Sequence, residues 1–363
     1  MSAIVFDHVC KAYRGHAAIS DLTLAVADQS LTVLCGPPRS GKSVLLRLLV
    51  GLEMPDSGRI LIDGQDVTRR PAAERRIGYV PQSFALFPHM NVYDNIAYPL
   101  RQQGAPAAMI KSRIDRVAEI LRIGPLLGKR PSQLSGGEKQ RAAIARGTLK
   151  DARIFILDDP LVGLDFKLRE SLMDDLKDMR ASLGATFLYA TSDSLEALTM
   201  AEQLAVMDNG RVLESGRVDR VYHEPRTARS AELVGFPRCN LFVGTVRNGQ
   251  CQSAIGAFQV PSDTAEAVLL AVRPEDVVHP PSQIGGATMG GVGTISLLEN
   301  LGAECVVYVQ FGGATVVSIP PADAVIGLDV GSDFAFSINR DRVMIFDQAD
   351  GIRRERTREM AHG

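Results

Sequence analysis

The stretch Gly36-Pro37-Pro38-Arg39-Ser40-Gly41-Lys42-Ser43 follows an apolar run from Leu31 to Cys35 and opens into a helix-like segment that begins at Val44. Strand, glycine-bounded loop and helix in that order make a phosphate-binding loop. Backbone N–H groups and the positive end of the helix converge on one polyanion. Lys42 adds an ammonium, and Ser43 adds a hydroxyl suited to magnesium. A second anion-binding helix start is expected at Leu134-Ser135-Gly136-Gly137-Glu138, because a structural cap needs only the serine. Further on, the apolar segment 154–157 reads as a strand that ends in Asp158-Asp159-Pro160. One of those carboxylates can hold magnesium; the other can orient a water.

The elements around these groups are strands, helices and turns in alternation. Segments 4–6 and 22–26 read as short strands bracketing a polar turn that contains Tyr13, an aromatic placed either to cover a purine face or to pack. Segment 59–62 is a further strand between two tight turns. After Gln82 comes the apolar, proline-containing loop Ala85-Leu86-Phe87-Pro88-His89-Met90, which is internal packing or, if exposed, a docking surface. His89 on its own reads as a surface or packing histidine. Ile110, Ile114, Val117 and Leu121 fall at helical spacing and give 107–123 one buried stripe. Beyond Phe236 the pattern changes to short strands with glycine-rich turns, at 241–246, 267–272, 293–298, 305–309 and 315–318, a small β-barrel. The final charged run from Arg353 reads as a frayed tail.

The 363 residues, 45% hydrophobic and 23% charged, suit about two globular domains. A net charge of -2 gives no electrostatic case for nucleic acid or anionic lipid. Cys10, Cys35, Cys239, Cys251 and Cys305 lack metal-ligand spacing and read as reduced core residues, Cys35 as buried rather than alkylatable. No apolar run approaches the roughly 18 residues that cross a bilayer, and the N-terminus lacks the order of a signal peptide. Membrane contact is therefore expected only through a partner.

Taken in order, the phosphate loop, Gln82, the LSGGEKQR stretch, the ILDDP strand end and Leu164-Asp165 resemble the ATPase subunits of ATP-binding-cassette (ABC) transporters. The segment SFALFPHMNVYDNIAYPL, with Gly235-Phe236-Pro237 and Arg273-Pro274-Glu275, is similar to the carbohydrate, polyol and glycerol importer branch. The resemblance implies an α/β P-loop ATPase domain at 1–235, with a RecA-like core, an antiparallel β subdomain and a helical subdomain at about 83–150. It implies an OB-like, regulatory or dimerising β domain (TOBE) at 236–363. It also implies ATP and Mg2+ bound in a head-to-tail dimer, each ATP between one subunit's phosphate loop and the other's signature stretch. On that match Tyr13 stacks on adenine, and residues Gly36 to Val44 hold the phosphates. Ser43, Asp158 and Gln82 serve magnesium. Leu134, Ser135, Gly136, Gly137 and Glu138 face the partner's ATP, Leu164 and Asp165 form the D-loop, and Ala85 to Met90 line the permease contact. The implied partners are a second ATPase subunit, two integral-membrane permeases and, through them, a solute-binding protein, at the cytoplasmic face of the inner membrane. A non-transport cassette protein acting on nucleic acid is the outlying alternative.

The chain departs from the family pattern where hydrolysis is carried out. The usual glutamate is Asp159, a carboxylate drawn back by one methylene, which can cost about a hundredfold. The switch histidine is replaced by Ser192, which cannot carry an imidazolium charge. Pro38 and Arg39 stand in the loop where a Ser-Gly pair is usual, and Pro38 has no N–H to offer. Val162 replaces a polar D-loop residue. The signature stretch is intact. The expectation is an impaired own site beside an unlike, complete partner; a competent homodimer is the alternative.

Overall fold

The computed structural model describes residues 2–150, 152–261, 263–281 and 288–353. They form two compact units that divide between Val218 and Asp219, earlier than the 235/236 boundary expected from sequence.

The first unit runs β1 (Ser2–Tyr13), β2 (His16–Ala27), β3 (Leu31–Cys35), α1 (Lys42–Val50), β4 (Ser57–Ile62), β5 (Gln65–Asp66), β6 (Ile77–Val80) and α2 (Val92–Gln102). It continues with α3 (Ala107–Ile120), α4 (Gly136–Thr148), β7 (Ile154–Asp158), α5 (Phe166–Leu183), β8 (Thr186–Thr191), α6 (Ser194–Met200), β9 (Gln203–Asp208) and β10 (Arg211–Arg217). One antiparallel sheet has the order β2-β1-β4-β5; the main sheet has the order β10-β9-β3-β8-β7-β6 and is parallel except for β10. Every residue of β3, β7 and β8 is buried, so these strands read as mostly apolar runs, with Thr32, Asp158, Thr186 and Thr191 as their polar members, instead of alternating ones. Because β3, β8 and β7 are neighbours, their carboxyl ends bring the phosphate loop, the Asp158-Asp159 pair and Ser192 to one edge of the sheet.

Two expectations change. The short strands at 4–6 and 22–26 are parts of one long hairpin, whose register shifts near His8 and Asp21, both with positive φ, admit polar residues without ending it. Tyr13 therefore closes β1 instead of sitting in the turn. The helix expected over 107–123 stops at Ile120.

Helix α1 carries the phosphate loop at its N-terminus and buries Leu45, Leu46, Leu48 and Leu49. Its far end is held by Arg75, only 4% exposed, whose guanidinium donates to Leu48 O (2.7 Å), Leu49 O (2.8 Å), Arg70 O (2.9 Å) and Thr68 O (3.0 Å). A cation on the last carbonyls satisfies groups that the helix itself cannot. Arg75→Met, which keeps the stem but removes the guanidinium from the Leu49, Arg70 and Thr68 carbonyls while Leu48 O retains the Gly51 N–H (3.2 Å), is expected to cost about 3 kcal/mol in urea unfolding of the full chain.

The division falls at the first residue of α7 (Val218–His223), and the second unit opens with the rest of that helix and α8 (Ala228–Leu233). It continues with β11 (Asn240–Arg247), β12 (Gln250–Ser253), β13 (Gly256–Gln259), β14 (Ala267–Val272) and β15 (Val277–Val278), then β16 (Thr288–Asn300), β17 (Cys305–Phe311), β18 (Ala314–Ser318), β19 (Asp333–Asn339) and β20 (Met344–Asp347). Two five-stranded antiparallel sheets, β13-β12-β11-β14-β20 and β15-β19-β16-β17-β18, share one core that includes Phe242, Leu270, Val307, Phe334, Phe336 and Ile345. All five strands expected from sequence are present, and the unit is all-β apart from its helical start and short 3-10 turns. That start is tied in by Arg273, which donates to Tyr222 O (2.7 Å) and Ala231 O (2.8 Å). The charged tail lies outside the described residues beyond Arg353.

Candidate nucleotide site

The phosphate loop is held against neighbouring backbone. A Cβ on Gly36 would lie 2.1 Å from Met207 O, and one on Gly41, whose φ is 104°, would lie 2.7 Å from Ala18 O. Only glycine fits either place. Lys42 is 5% exposed and donates from Nζ to Gly36 O (2.7 Å) and Pro37 O (3.1 Å). Burial lowers its pKa, against the opposing pull of the Asp159 and Asp158 carboxylates. Ser43 donates from Oγ to Asp158 Oδ1 at 2.9 Å, and the Tyr79 hydroxyl reaches Asp158 Oδ2 at 3.5 Å. Burial raises the pKa of both Asp158 and Asp159.

A polyphosphate with its magnesium fits this donor set. The Ser40 hydroxyl is buried in the loop without a partner among the described residues, and a hydroxyl and a carboxylate already meet at Ser43 and Asp158. Pro38 and Arg39 are exposed at the loop's crest, Arg39 with φ 67°, and Val44 is half-buried in the first turn of α1. Gln82 is exposed just past β6. Cys35 is fully buried, and burial pushes its thiol up to about 12.

Asp159 has φ 45°, its N–H donates to Ala190 O (2.9 Å), and its Oδ1 accepts the N–H of Ser192 (3.2 Å). The backbone of residue 192 meets the carboxylate, whatever its side chain does. Residues absent from the sequence reading hold that backbone. Arg169 on α5 donates to Asp193 Oδ2 (2.9 Å), while Asp193 Oδ1 caps α6 by accepting the Leu195 and Glu196 N–H groups. Buried Glu196 accepts from Tyr189 Oη (2.5 Å) and from the Thr191 hydroxyl. An Asp following the position of a missing switch residue and a Glu three residues later was the signal that could have found them.

The signature glycines part company. Ser135 caps α4 by accepting the Glu138 N–H (3.3 Å), and Glu138 returns by accepting the Ser135 N–H (2.8 Å). Gly136 is exposed, and a Cβ there would meet nothing within 4 Å. Gly137 is buried, and a Cβ there would lie 2.0 Å from Cδ2 of Leu168 on α5. Leu134 and Leu164 are buried, and Asp165 caps α5 by accepting the Leu168 N–H (3.0 Å).

The loop at 85–90 is built, not loose. Fully buried Asn95 accepts the Phe87 N–H (2.7 Å) and donates to Phe87 O (3.1 Å) and Met90 O (3.2 Å). Arg146 donates to Ala85 O (2.6 Å) with its guanidinium 5.3 Å from the Phe87 ring, which lies 4.9 Å from Tyr98. Ala85, Pro88 and His89 are exposed, and Leu86, Phe87 and Met90 are half-buried, so the loop presents a partly apolar surface.

Residues 19–162 match the ABC transporter family, and residues 270–346 match the TOBE domain. The sn-glycerol-3-phosphate import ATP-binding protein UgpC of Pectobacterium atrosepticum is 35% identical over 98% of this chain and 100% of its own length. The maltose/maltodextrin import ATP-binding protein MalK of Photobacterium profundum is 33% identical over 97% of each chain. A dimeric post-hydrolysis ATP-binding cassette solved with ADP and Pi matches 59% of this chain and 98% of its own, at 26% identity and a TM-score of 0.55. With this likeness over its whole length, the chain belongs to the ABC transporter ATP-binding proteins, a P-loop ATPase unit followed by an all-β TOBE domain.

Proposed function

We propose that the chain is the nucleotide-binding subunit of an importer for a small solute: a sugar, polyol, glycerol or glycerol phosphate. The observation that carries this is the meeting of Lys42, Ser43 and Asp158 at one sheet edge, in a chain that aligns end to end with import ATP-binding proteins. ATP lies on the loop from Gly36 to Val44, with Tyr13 on the base and Ser43, Asp158 and Gln82 serving Mg2+. Ser135, Gly136 and Gly137 complete the site of a second ATPase subunit. Two permeases receive the loop from Ala85 to Met90 and link the chain to a solute-binding protein. No helix among the described residues is long and apolar enough to cross a membrane, which suits attachment through permeases at the cytoplasmic face of the inner membrane. No nucleic acid takes part.

The finer reading is an unlike pair. Asp159 is shorter than a glutamate and Ser192 offers no imidazole, so the chain's own site turns over slowly while its signature serves a complete partner. A competent homodimer is the second reading, favoured by the Ser192 N–H that already orients Asp159. ATPase assays of the purified chain with permeases, with and without each candidate second subunit, separate them. Hydrolysis only with an unlike subunit supports the first; full hydrolysis without one supports the second.

The permease contact has its own test. Leu86→Asp places a charge in a half-buried apolar loop outside the phosphate site, so permease co-purification is expected to fall about tenfold or more with ATP affinity unchanged. Full-yield co-purification overturns the docking assignment.

A further inference from the structure

We infer that Glu53 is a positioning residue for the base of the nucleotide, acting through Tyr13. Its two carboxylate oxygens have separate partners: Oε1 accepts from Arg47 Nε at 2.7 Å, and Oε2 accepts the Tyr13 hydroxyl. Arg47 lies on α1, the helix that begins at Lys42, and Tyr13 ends β1. One carboxylate thus joins the aromatic platform to the helix that carries the phosphate loop. The chain is turned to allow this. The N–H groups of Gly51 (3.1 Å), Leu52 (3.0 Å) and Glu53 (3.3 Å) all converge on Arg47 O, which brings Glu53 back over the last turn of α1. Glu53 is half-buried, and its hydrogen bonds from Tyr13 and Arg47 outweigh burial and lower its pKa, so it is ionised at neutral pH. Tyr13 is 39% exposed and has Lys11 Nζ 5.6 Å from its ring centroid, so one face of the ring has a cation near it while the hydroxyl is fixed at its rim. A platform held by its rim loses less rotational freedom when a base stacks on it, which favours binding.

The inference rests on the assignment of ATP to this site, and the test keeps the two apart by using inorganic tripolyphosphate, which has charge but no base. Isothermal titration of the full chain with MgATP and with magnesium tripolyphosphate is compared for Glu53→Ala, Glu53→Gln, Tyr13→Phe and the double variant Glu53→Ala/Tyr13→Phe. Glu53→Ala and Tyr13→Phe are each expected to weaken MgATP about fivefold and leave tripolyphosphate unchanged. The double variant should be no weaker than either single one, because each removes the same bond. Glu53→Gln, which keeps an acceptor for the hydroxyl, should recover part of the loss. Equal weakening of both ligands, or additive losses in the double variant, overturns the positioning role and leaves Glu53 a structural cap of α1. Unchanged binding of both ligands in Lys42→Ala overturns the phosphate-site assignment instead.

Discussion

Lys42→Ala is expected to weaken ATP binding by about 30-fold or more, the largest loss from any single side chain in the loop. The ammonium is almost fully buried and spends its donors on Gly36 O and Pro37 O, so it is desolvated before nucleotide arrives and gains a full charge-assisted interaction when phosphate enters. Its removal also takes the ammonium from Gly36 O, while Pro37 O keeps the Ser40 N–H (3.1 Å), and the uncovered carbonyl adds a repulsive term against an anion. Tyr13→Ala removes the stacking face together with its hydroxyl tether but no charge, and its loss should be about tenfold, larger than that of Tyr13→Phe and smaller than that of Lys42→Ala. Isothermal titration with MgATP reads both, and near-native thermal unfolding of Lys42→Ala separates lost binding from lost folding. Unchanged affinity in Lys42→Ala removes ATP from this loop.

The second large effect separates the chain's two contributions to a dimer. Gly136→Asp in the assembled transporter is expected to lower ATP hydrolysis about a hundredfold or more, because on the proposed assignment of 135–137 to the second subunit's ATP a carboxylate would enter the space facing its γ-phosphate, where preorganised electrostatics dominate. The change is clean within this chain: a Cβ at 136 meets nothing, whereas the same change at 137 collides with Leu168 and would confuse folding with chemistry. On the proposed unlike-pair reading, in which a shortened base without an imidazole neighbour carries little of the turnover, Asp159→Asn in the same complex is expected to change hydrolysis by less than about twofold. Steady-state phosphate release from the reconstituted complex checks both. Loss of most activity with Asp159→Asn points to a homodimer in which Asp159 is an adequate base.

Much of this site is legible in the residues because it rests on local physics. Gly36 and Gly41 stand where backbone crowds backbone, and the largely apolar runs of β3 and β7, interrupted only by Thr32 and ended by Asp158, announce strands buried on both faces. What stayed hidden depends on contacts between distant segments. The N–H of Ser192 on Asp159 joins the ends of two strands, and nothing in either segment states it. The different surroundings of Gly136 and Gly137 are set by Leu168 on another helix. The full length of β1 and β2 was obscured by His8 and Asp21, whose left-handed conformations break the alternation that reveals a strand. The unit boundary moved because Arg273, in the β domain, grips carbonyls of the two helices before it.

The first turn of α5 has a consequence for exchanging segments between relatives. Leu168 fills the space that Gly137 leaves open, and the next residue, Arg169, grips Asp193 beside the Ser192 N–H. A chimera that imports a relative's α5 turn without this chain's signature stretch would set a foreign side chain at 168 against Gly137 and change the residue that steadies Asp193. One that imports only the segment around residue 192 meets the opposite mismatch. Transplants in this family of chains should therefore carry the α5 turn along with either segment, as one heritable block.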